Sequence, residues 1–256
     1  MSEKFDELVK IMEILRSEKG CPWDRVQTHD TLKRYLLEEA YELIEAIENK
    51  DSKAMKEELG DLLLQIVFHS EIAKQNSNFD INDVIQTIIQ KMIRRHPHVF
   101  AEADFKTPEE VLAQWDERKK EEGKLHESIL DGIPLALPAL LRAYKIQSRV
   151  SKVGFDWDNA QGVVEKIKEE VKEVEEAIAC QEKNRIEEEI GDLLFSIVNL
   201  ARFLKIDPEA ALRKTNRKFE KRFKKLEKIA SQKGKNLKDM TLQEMDSLWN
   251  EIKKTT

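Results

Sequence analysis

Apolar residues recur at helical spacing along most of the chain. Phe5, Leu8, Met12 and Leu15 follow one another at intervals of three or four residues, and Gly20 and Pro22 end this pattern. The same periodicity predicts further helices at about 31–49, 52–74, 81–96, 140–151, 159–181, 184–205, 208–232 and 241–253. Asp80 is an expected N-cap, as are Asp207 before Pro208 and Thr241 before Glu244. Thr107 and Pro108 predict the start of another helix, which continues through Trp115.

No segment shows the sustained alternation that is typical of a strand, so the sequence predicts an all-α fold. The composition agrees, because only 8 Gly and 6 Pro interrupt a chain in which 37% of the residues are charged. A run of about 18 apolar residues is missing, which argues against a membrane span. The net charge of −6 argues against a general nucleic-acid binder. Two cysteines and no apolar signal segment favour the cytoplasm.

The second half of the chain repeats the first. Gly20–Asp24 matches Gly154–Asp158, and Glu57–Leu63 matches Glu188–Leu194 with a single Leu-to-Ile difference. A duplicated helical module explains these matches. We therefore predict two tandem modules, 1–130 and 153–256, joined by a helical linker at 131–152 that begins in a segment rich in Gly and Pro.

Each module carries four carboxylates on two neighbouring predicted helices. In both modules the first helix has a Glu-x-x-Glu pair and the second a Glu-x-x-Asp pair: Glu39, Glu42, Glu58 and Asp61, then Glu170, Glu173, Glu189 and Asp192. The three-residue spacing places each pair on one helical face. A helical wheel places the acids within or at the edge of arcs of Leu, Ile, Val and Ala, whereas Glu38, Glu45, Glu48, Glu169 and Glu176 point elsewhere and are expected to face solvent.

Converging carboxylates in an apolar setting repel one another and require protonation, a Lys or Arg partner, or a divalent cation. Oxygen ligands alone favour Mg²⁺, with Mn²⁺ as a possible substitute, over zinc. A di-iron site would need Glu-x-x-His, and here the second pairs end in Asp61 and Asp192. The alternative, acids that are only solvated or ion-paired, is weakened by the duplication. The sequence thus predicts two metal sites.

At these residues the chain resembles the MazG family of nucleoside triphosphate pyrophosphohydrolases. The two paired motifs carry the resemblance, together with Cys21–Asp24, Arg94–Phe100 and Gly154–Trp157. The resemblance implies a helical-bundle module of the all-α NTP pyrophosphatases and a Mg²⁺-dependent reaction, NTP + H₂O → NMP + diphosphate. It also implies broad base tolerance and a housekeeping role on nucleotide pools. Dimeric dUTPases share the four-carboxylate motif, so a narrower dUTPase-like enzyme stays an alternative, as does a non-catalytic scaffold that holds a structural cation.

The resemblance also implies roles for individual residues. It carries metal binding onto Glu170, Glu173, Glu189 and Asp192. Nucleotide contacts fall on two stretches of the paired helices, on a basic stretch and on a tryptophan: Lys166, Ile167, Lys168, Glu169 and Glu170; Arg185, Ile186, Glu187 and Glu188; Lys218, Phe219, Glu220, Lys221 and Arg222; and Trp249. We expect Glu189 to act as general base, and Lys221 and Arg222 to clamp the β and γ phosphates.

The remaining features receive weaker interpretations. In the first module Lys91, Arg94 and Arg95 would contact phosphates, and Trp115 or Trp249 would stack on a base or anchor the last helix. Trp23 and Trp157 are expected to pack in loops, and His96 and His98 to form a helix-ending turn. Cys21 and Cys180 receive no role. Modules this thin seldom complete a core alone, so we expect a homodimer.

Overall fold

The computed structural model describes residues 3–101, 107 and 128–254, and every regular element in that part of the chain is helical. The chain divides into two compact units, Met1–Gly123 and Lys124–Thr256. The first unit contains six described helices: α1 Glu3–Arg16, α2 Pro22–Val26, α3 His29–Asn49, α4 Ser52–Gln75, α5 Ile81–Arg95 and α6 Pro97–Phe100. The expected all-α fold is confirmed.

The second unit repeats the central hairpin of the first. Its elements are α7 Ala139–Ser151, α8 Ala160–Cys180, α9 Lys183–Phe203, α10 Pro208–Gln232, a 3₁₀ turn Leu237–Asp239 and α11 Leu242–Lys254. The segment predicted as a linker packs inside this unit, because Gln147 on α7 donates a hydrogen bond of 2.8 Å to the carbonyl of Phe195 on α9. The module boundaries themselves stay a prediction.

Two residues connect the helices of each hairpin. Lys50 and Gln181 end α3 and α8 in the left-handed conformation, with φ of 56° and 57°. Asp51 then caps α4 by accepting hydrogen bonds from the backbone N–H groups of Lys53 and Ala54. This tight connection makes the paired helices antiparallel, so the acids near the connection face one another across the hairpin.

Each unit has its own apolar core. In the first unit, α1, α3, α4 and α5 contribute the buried cluster Met12, Leu32, Val67, Phe68, Ile72 and Ile81. In the second unit, α10 and α11 pack around Leu226, Ala230, Met240, Leu248 and Ile252, while Val163, Ala177 and Val198 are buried on α8 and α9. No helix among the described residues is both long and apolar enough to cross a membrane.

The predicted helix positions agree with the structure to within about three residues, and Asp80 and Asp207 are N-caps as expected. The predicted helix from Thr107 through Trp115 lies outside the described residues, apart from Thr107 itself. The expectation that the apolar arcs around the acids are buried is wrong in part. Leu36, Ile66 and Ile197 are exposed, so the described residues leave part of the apolar surface of each hairpin uncovered.

Candidate metal and nucleotide site

The α8/α9 hairpin brings together three acids of the second module. Glu170 and Glu173 come from α8 and Glu189 from α9, and each offers a carboxylate oxygen that lies within 4.8 Å of the other two. Glu170 is 4% exposed, whereas Glu173 and Glu189 are half-buried. Such a cluster of oxygen donors fits a hard divalent cation like Mg²⁺.

Two cations from the same helices contact these acids. Lys166 Nζ lies 2.9 Å from Glu170 Oε1 and 2.7 Å from Glu169, and Arg185 Nε donates to Glu189 Oε1 at 3.4 Å. Both pairs have helical i, i+4 spacing. The two cations offset the repulsion among the acids, and the carboxylates raise the pKa of Lys166 in turn, chiefly through its hydrogen bonds to Glu169 and Glu170.

Among the described residues, no Lys or Arg lies within ion-pair distance of the Glu173 carboxylate, and its pKa is raised. Desolvation raises its pKa above the ordinary range, and the hydrogen bond and charge of Glu170 and the charge of Glu189 raise it further. A carboxylate that is repelled in this way gains from a bound divalent ion. The electrostatics of the cluster therefore agree with a metal site.

In the first module the α3/α4 hairpin brings together Glu39, Glu58 and Asp61, again within 4.8 Å, and all three are half-buried. Desolvation is the largest cause of a raised pKa at both Glu39 and Glu58, and the neighbouring carboxylates raise both values further. The first module thus repeats the acidic cluster, with one acid from α3 and two from α4.

The fourth acid of each set lies outside the close cluster. Asp192 is exposed, so the apolar setting expected for it is wrong, whereas the exposure of Glu42 agrees with its expected place at the edge of the apolar arc. Metal binding by these two acids stays a prediction. Asp192 is three residues after Glu189 on α9 and so shares its helical face. Glu42 is one turn beyond Glu39 on α3, and its charge contributes to the raised pKa of Glu58. The five acids predicted to face solvent are exposed, as expected.

Neither Lys166 nor Arg185 is matched by a cation at the equivalent position of the first module. Tyr35 stands at the position equivalent to Lys166, and Ala54 at the position equivalent to Arg185, each 131 residues earlier. The Tyr35 ring lies edge-on to Trp23 at 5.8 Å, and the Arg34 guanidinium stacks over it at 4.5 Å. An aromatic group therefore occupies the first module where the second has an ammonium.

The other predicted nucleotide contacts differ in their surroundings. Lys168 pairs with Glu165 at 3.0 Å, and Ile167 and Ile186 are half-buried while Glu187 and Glu188 are exposed. On α10 the residues Lys218, Phe219, Glu220 and Lys221 are exposed. Arg222 is half-buried, and its Nε is buried without a hydrogen-bond partner among the described residues. Such a donor suits an anionic ligand.

Trp249 packs partly against the α10/α11 core cluster, and its ring lies 5.0 Å from that of Phe219. In the first module Lys91, Arg94 and Arg95 lie at the end of α5, and Trp115 lies outside the described residues. His96 follows α5 as its C-cap, and its Nδ1 lies 2.7 Å from the Met92 carbonyl, in agreement with a helix-ending turn.

Sequence reasoning missed one contact at the open end of the α8/α9 hairpin. Arg202, at the end of α9, makes a two-pronged ion pair with Asp156, which lies in the loop before α8. Its side chain is only 10% exposed. The available signal was its spacing, since Arg202 lies four residues after the buried Val198 and so continues an apolar stripe.

Comparison with known proteins adds the family context. Residues 27–100 and 159–226 match the MazG nucleotide pyrophosphohydrolase domain. The nucleoside triphosphate pyrophosphohydrolase/pyrophosphatase MazG of Thermotoga maritima is 52% identical over 97% of this chain and 95% of its own length. The nucleoside triphosphate pyrophosphohydrolase of Escherichia coli K12 is 46% identical over 98% of this chain and 97% of its own. A crystal structure of a mazG-related protein from Thermotoga maritima covers 45% of this chain and 98% of its own, with 32% identity and a TM-score of 0.39.

Proposed function

The chain belongs to the MazG family and is a nucleoside triphosphate pyrophosphohydrolase; from this premise we propose that its reaction needs Mg²⁺ and accepts many bases. The proposed reaction is NTP + H₂O → NMP + diphosphate. The observation that carries the metal dependence is the cluster of Glu170, Glu173 and Glu189 within 4.8 Å. Mn²⁺ would be accepted by the same oxygen donors.

The proposed mechanism assigns a task to each group of residues. Glu170, Glu173 and Glu189 would hold Mg²⁺, which supplies charge neutralisation at the scissile phosphates when bound. Glu189 would also take the proton of the attacking water, with the Arg185 guanidinium at 3.4 Å orienting its carboxylate. Lys221 and Arg222 would stabilise the negative charge that develops on the departing diphosphate.

We assign turnover to the second module. Lys166 and Arg185 place two positive charges at the edge of its acidic cluster, whereas Tyr35 and Ala54 leave the first cluster without them. A triphosphate carries several negative charges that must be matched near the metal. Glu39, Glu42, Glu58 and Asp61 are therefore proposed as a metal site, while Glu170, Glu173, Glu189 and Asp192 serve the substrate.

A panel of ribo- and deoxynucleoside triphosphates, incubated with and without Mg²⁺, tests this function. We expect nucleoside monophosphate and diphosphate from most members of the panel, and only with the metal. Nucleoside diphosphate and phosphate as products would defeat the proposed bond cleavage. Release from dUTP alone would establish the narrower dUTPase, and no release from any triphosphate would favour the scaffold.

We also propose a homodimer that works in the cytoplasm, where nucleoside triphosphates are available. The exposed apolar side chains on the outer faces of the hairpins support the dimer. In the first unit these include Leu36, Leu59, Leu63 and Ile66, which are 39%, 51%, 37% and 46% exposed. Extended apolar faces of this kind are rare on monomers and mark association surfaces.

A further inference from the structure

We propose that Trp157 is the surface on which the nucleobase stacks at the second site, and that the Arg202–Asp156 ion pair holds it there. The inference deepens the proposed function, since it names the part of the nucleotide that this loop contacts. Trp157 lies in the loop before α8 and is 42% exposed, so part of its indole remains available for a ligand.

The indole lies on the first turns of α8. A Cβ built on Gly162 would be 2.8 Å from Cε3 of Trp157, so only a glycine permits this contact. A glycine inside a helix is less favourable than alanine by about 1 kcal/mol. Its presence here is explained by the ring that packs on it.

Gly162 shares a helical face with the residues of the metal site. Positions 162, 166, 170 and 173 of α8 follow at intervals of four, four and three residues, which places them in one row. Lys166 is therefore about 6 Å along the helix from the indole, and Glu170 about 12 Å. A nucleotide whose phosphates bind at Lys166 and Glu170 has room to extend its base over Trp157.

The loop is fixed in this place by charged groups. Arg202 Nη1 donates to Asp156 Oδ2 at 2.9 Å, Nη2 donates to Oδ1, and Nε donates to Asn199 at 3.0 Å. Asp156 also accepts the backbone N–H of Trp157 at 2.9 Å. These bonds connect the tryptophan to the end of α9 and reduce the conformational freedom that base binding would otherwise have to remove.

The first module gives an internal comparison. The equivalent tryptophan, Trp23, lies in α2 and packs edge-on against Tyr35, the residue that replaces Lys166, and Thr31 stands at the position of Gly162. There the tryptophan contacts the position where a phosphate would need a cation. In the second module the tryptophan packs on Gly162, one helical turn before Lys166, whose ammonium pairs with Glu169 and Glu170.

Binding measurements on the full-length protein test the inference. The ligands are an α,β-methylene nucleoside triphosphate, which cannot be cleaved at the relevant bond, and inorganic tripolyphosphate, which has no base; both are titrated with Mg²⁺ by calorimetry. Trp157→Ala is expected to weaken nucleotide binding roughly 5- to 100-fold and to leave tripolyphosphate binding within about twofold. Trp157→Phe should restore most of the nucleotide affinity, because it keeps an aromatic face.

Three further variants separate stacking from folding. Gly162→Ala should reproduce the selective loss by displacing the indole, while Trp23→Ala, the matched variant of the first module, should change neither affinity. Trp249→Ala tests the alternative that the base stacks on Trp249. Equal losses for both ligands, no loss for either, or a selective loss in Trp249→Ala alone would overturn the inference. Because the analogue reports binding without turnover, a failure of NTP hydrolysis in the wild type would reject the proposed function separately.

Discussion

Single residues set the difference between the two acidic clusters. Glu170 pairs with Lys166 at 2.9 Å, whereas Glu39 shares its helix with Tyr35 at the same spacing. The acids alone would support metal binding in both modules, but the cations Lys166 and Arg185 are replaced by Tyr35 and Ala54 in the first.

Glu170→Gln should reduce kcat/KM for diphosphate release at least about 100-fold, because it removes a buried ligand of the catalytic metal. Glu39→Gln should reduce it less than about threefold. Glu175→Gln is the matched control on α8, since this acid is exposed and lies on another face of the helix. Steady-state kinetics at saturating Mg²⁺ give the comparison. If Glu39→Gln were the more damaging change, turnover would belong to the first module.

The raised pKa values of Glu39, Glu58 and Glu173 predict how Mg²⁺ affects stability. A raised folded-state pKa contributes stability that is fully present below the unfolded pKa and is lost as the pH rises through the folded pKa. Repulsion among the acids is therefore greatest near neutral pH, where Mg²⁺ relieves it most. We expect Mg²⁺ to raise the Tm more at pH 7.5 than at pH 5.

Differential scanning fluorimetry with and without Mg²⁺ at the two pH values measures this difference. The double variant Glu39→Gln, Glu170→Gln serves as the control and should lose most of the effect at pH 7.5. An equal or larger Mg²⁺ effect at pH 5 would contradict the assignment of these acids as metal ligands, since protons compete with the metal for the same oxygens.

At the scale of elements, the two hairpins differ in how their second helices begin. Asp51 caps α4 through two backbone N–H groups, while its equivalent Glu182 makes no side-chain cap bond to α9. Asp51→Ala should destabilise the first unit by about 1 kcal/mol, and Glu182→Ala should change stability by less than about 0.5 kcal/mol. Amide hydrogen exchange in the first turns of α4 and α9 gives the two values separately. Equal effects would mean that the cap bonds of Asp51 contribute nothing.

The helices were predictable wherever periodicity and caps acted together. The expected helix at 208–232 has the bounds of α10, because Asp207 and Pro208 define its start. The short helices α2 and α6 were not predicted, since four or five residues show no helical period. Helix α9 ends at Phe203, two residues before the expected end, and Lys205 adopts a left-handed φ of 57°.

The candidate site was predictable as a set of acids but not as a geometry. The equal spacing of the acids predicted two equivalent groups of four carboxylates. The structure instead brings three carboxylates together in each module, and the two groups of three do not occupy equivalent positions. Which acid turns inward depends on side-chain torsions and on contacts across the hairpin, such as that of Arg185 with Glu189. The Arg202–Asp156 pair joins positions 46 residues apart, and helical periodicity carries no information about such a contact.

At the scale of the whole molecule, the outer apolar faces of the hairpins predict self-association. Leu59 and Ile66 lie on one side of α4 and are about half exposed, and Leu63 lies between them. Introducing two charges there should place carboxylates inside the expected interface, where burial without a partner costs several kcal/mol. We expect the wild type to sediment as a dimer at micromolar concentration and the double variant Leu59→Glu, Ile66→Glu to sediment as a monomer.

The matched control is Lys53→Glu, which adds negative charge on α4 away from this side of the helix. It should remain a dimer, and circular dichroism of all three proteins should show the same helix content. A monomeric wild type would reject the homodimer, because the apolar face would then be stable in water without a partner. A double variant that stays dimeric would locate the interface elsewhere, for which Ile190, Leu194 and Ile197 on α9 of the second unit offer the equivalent exposed face.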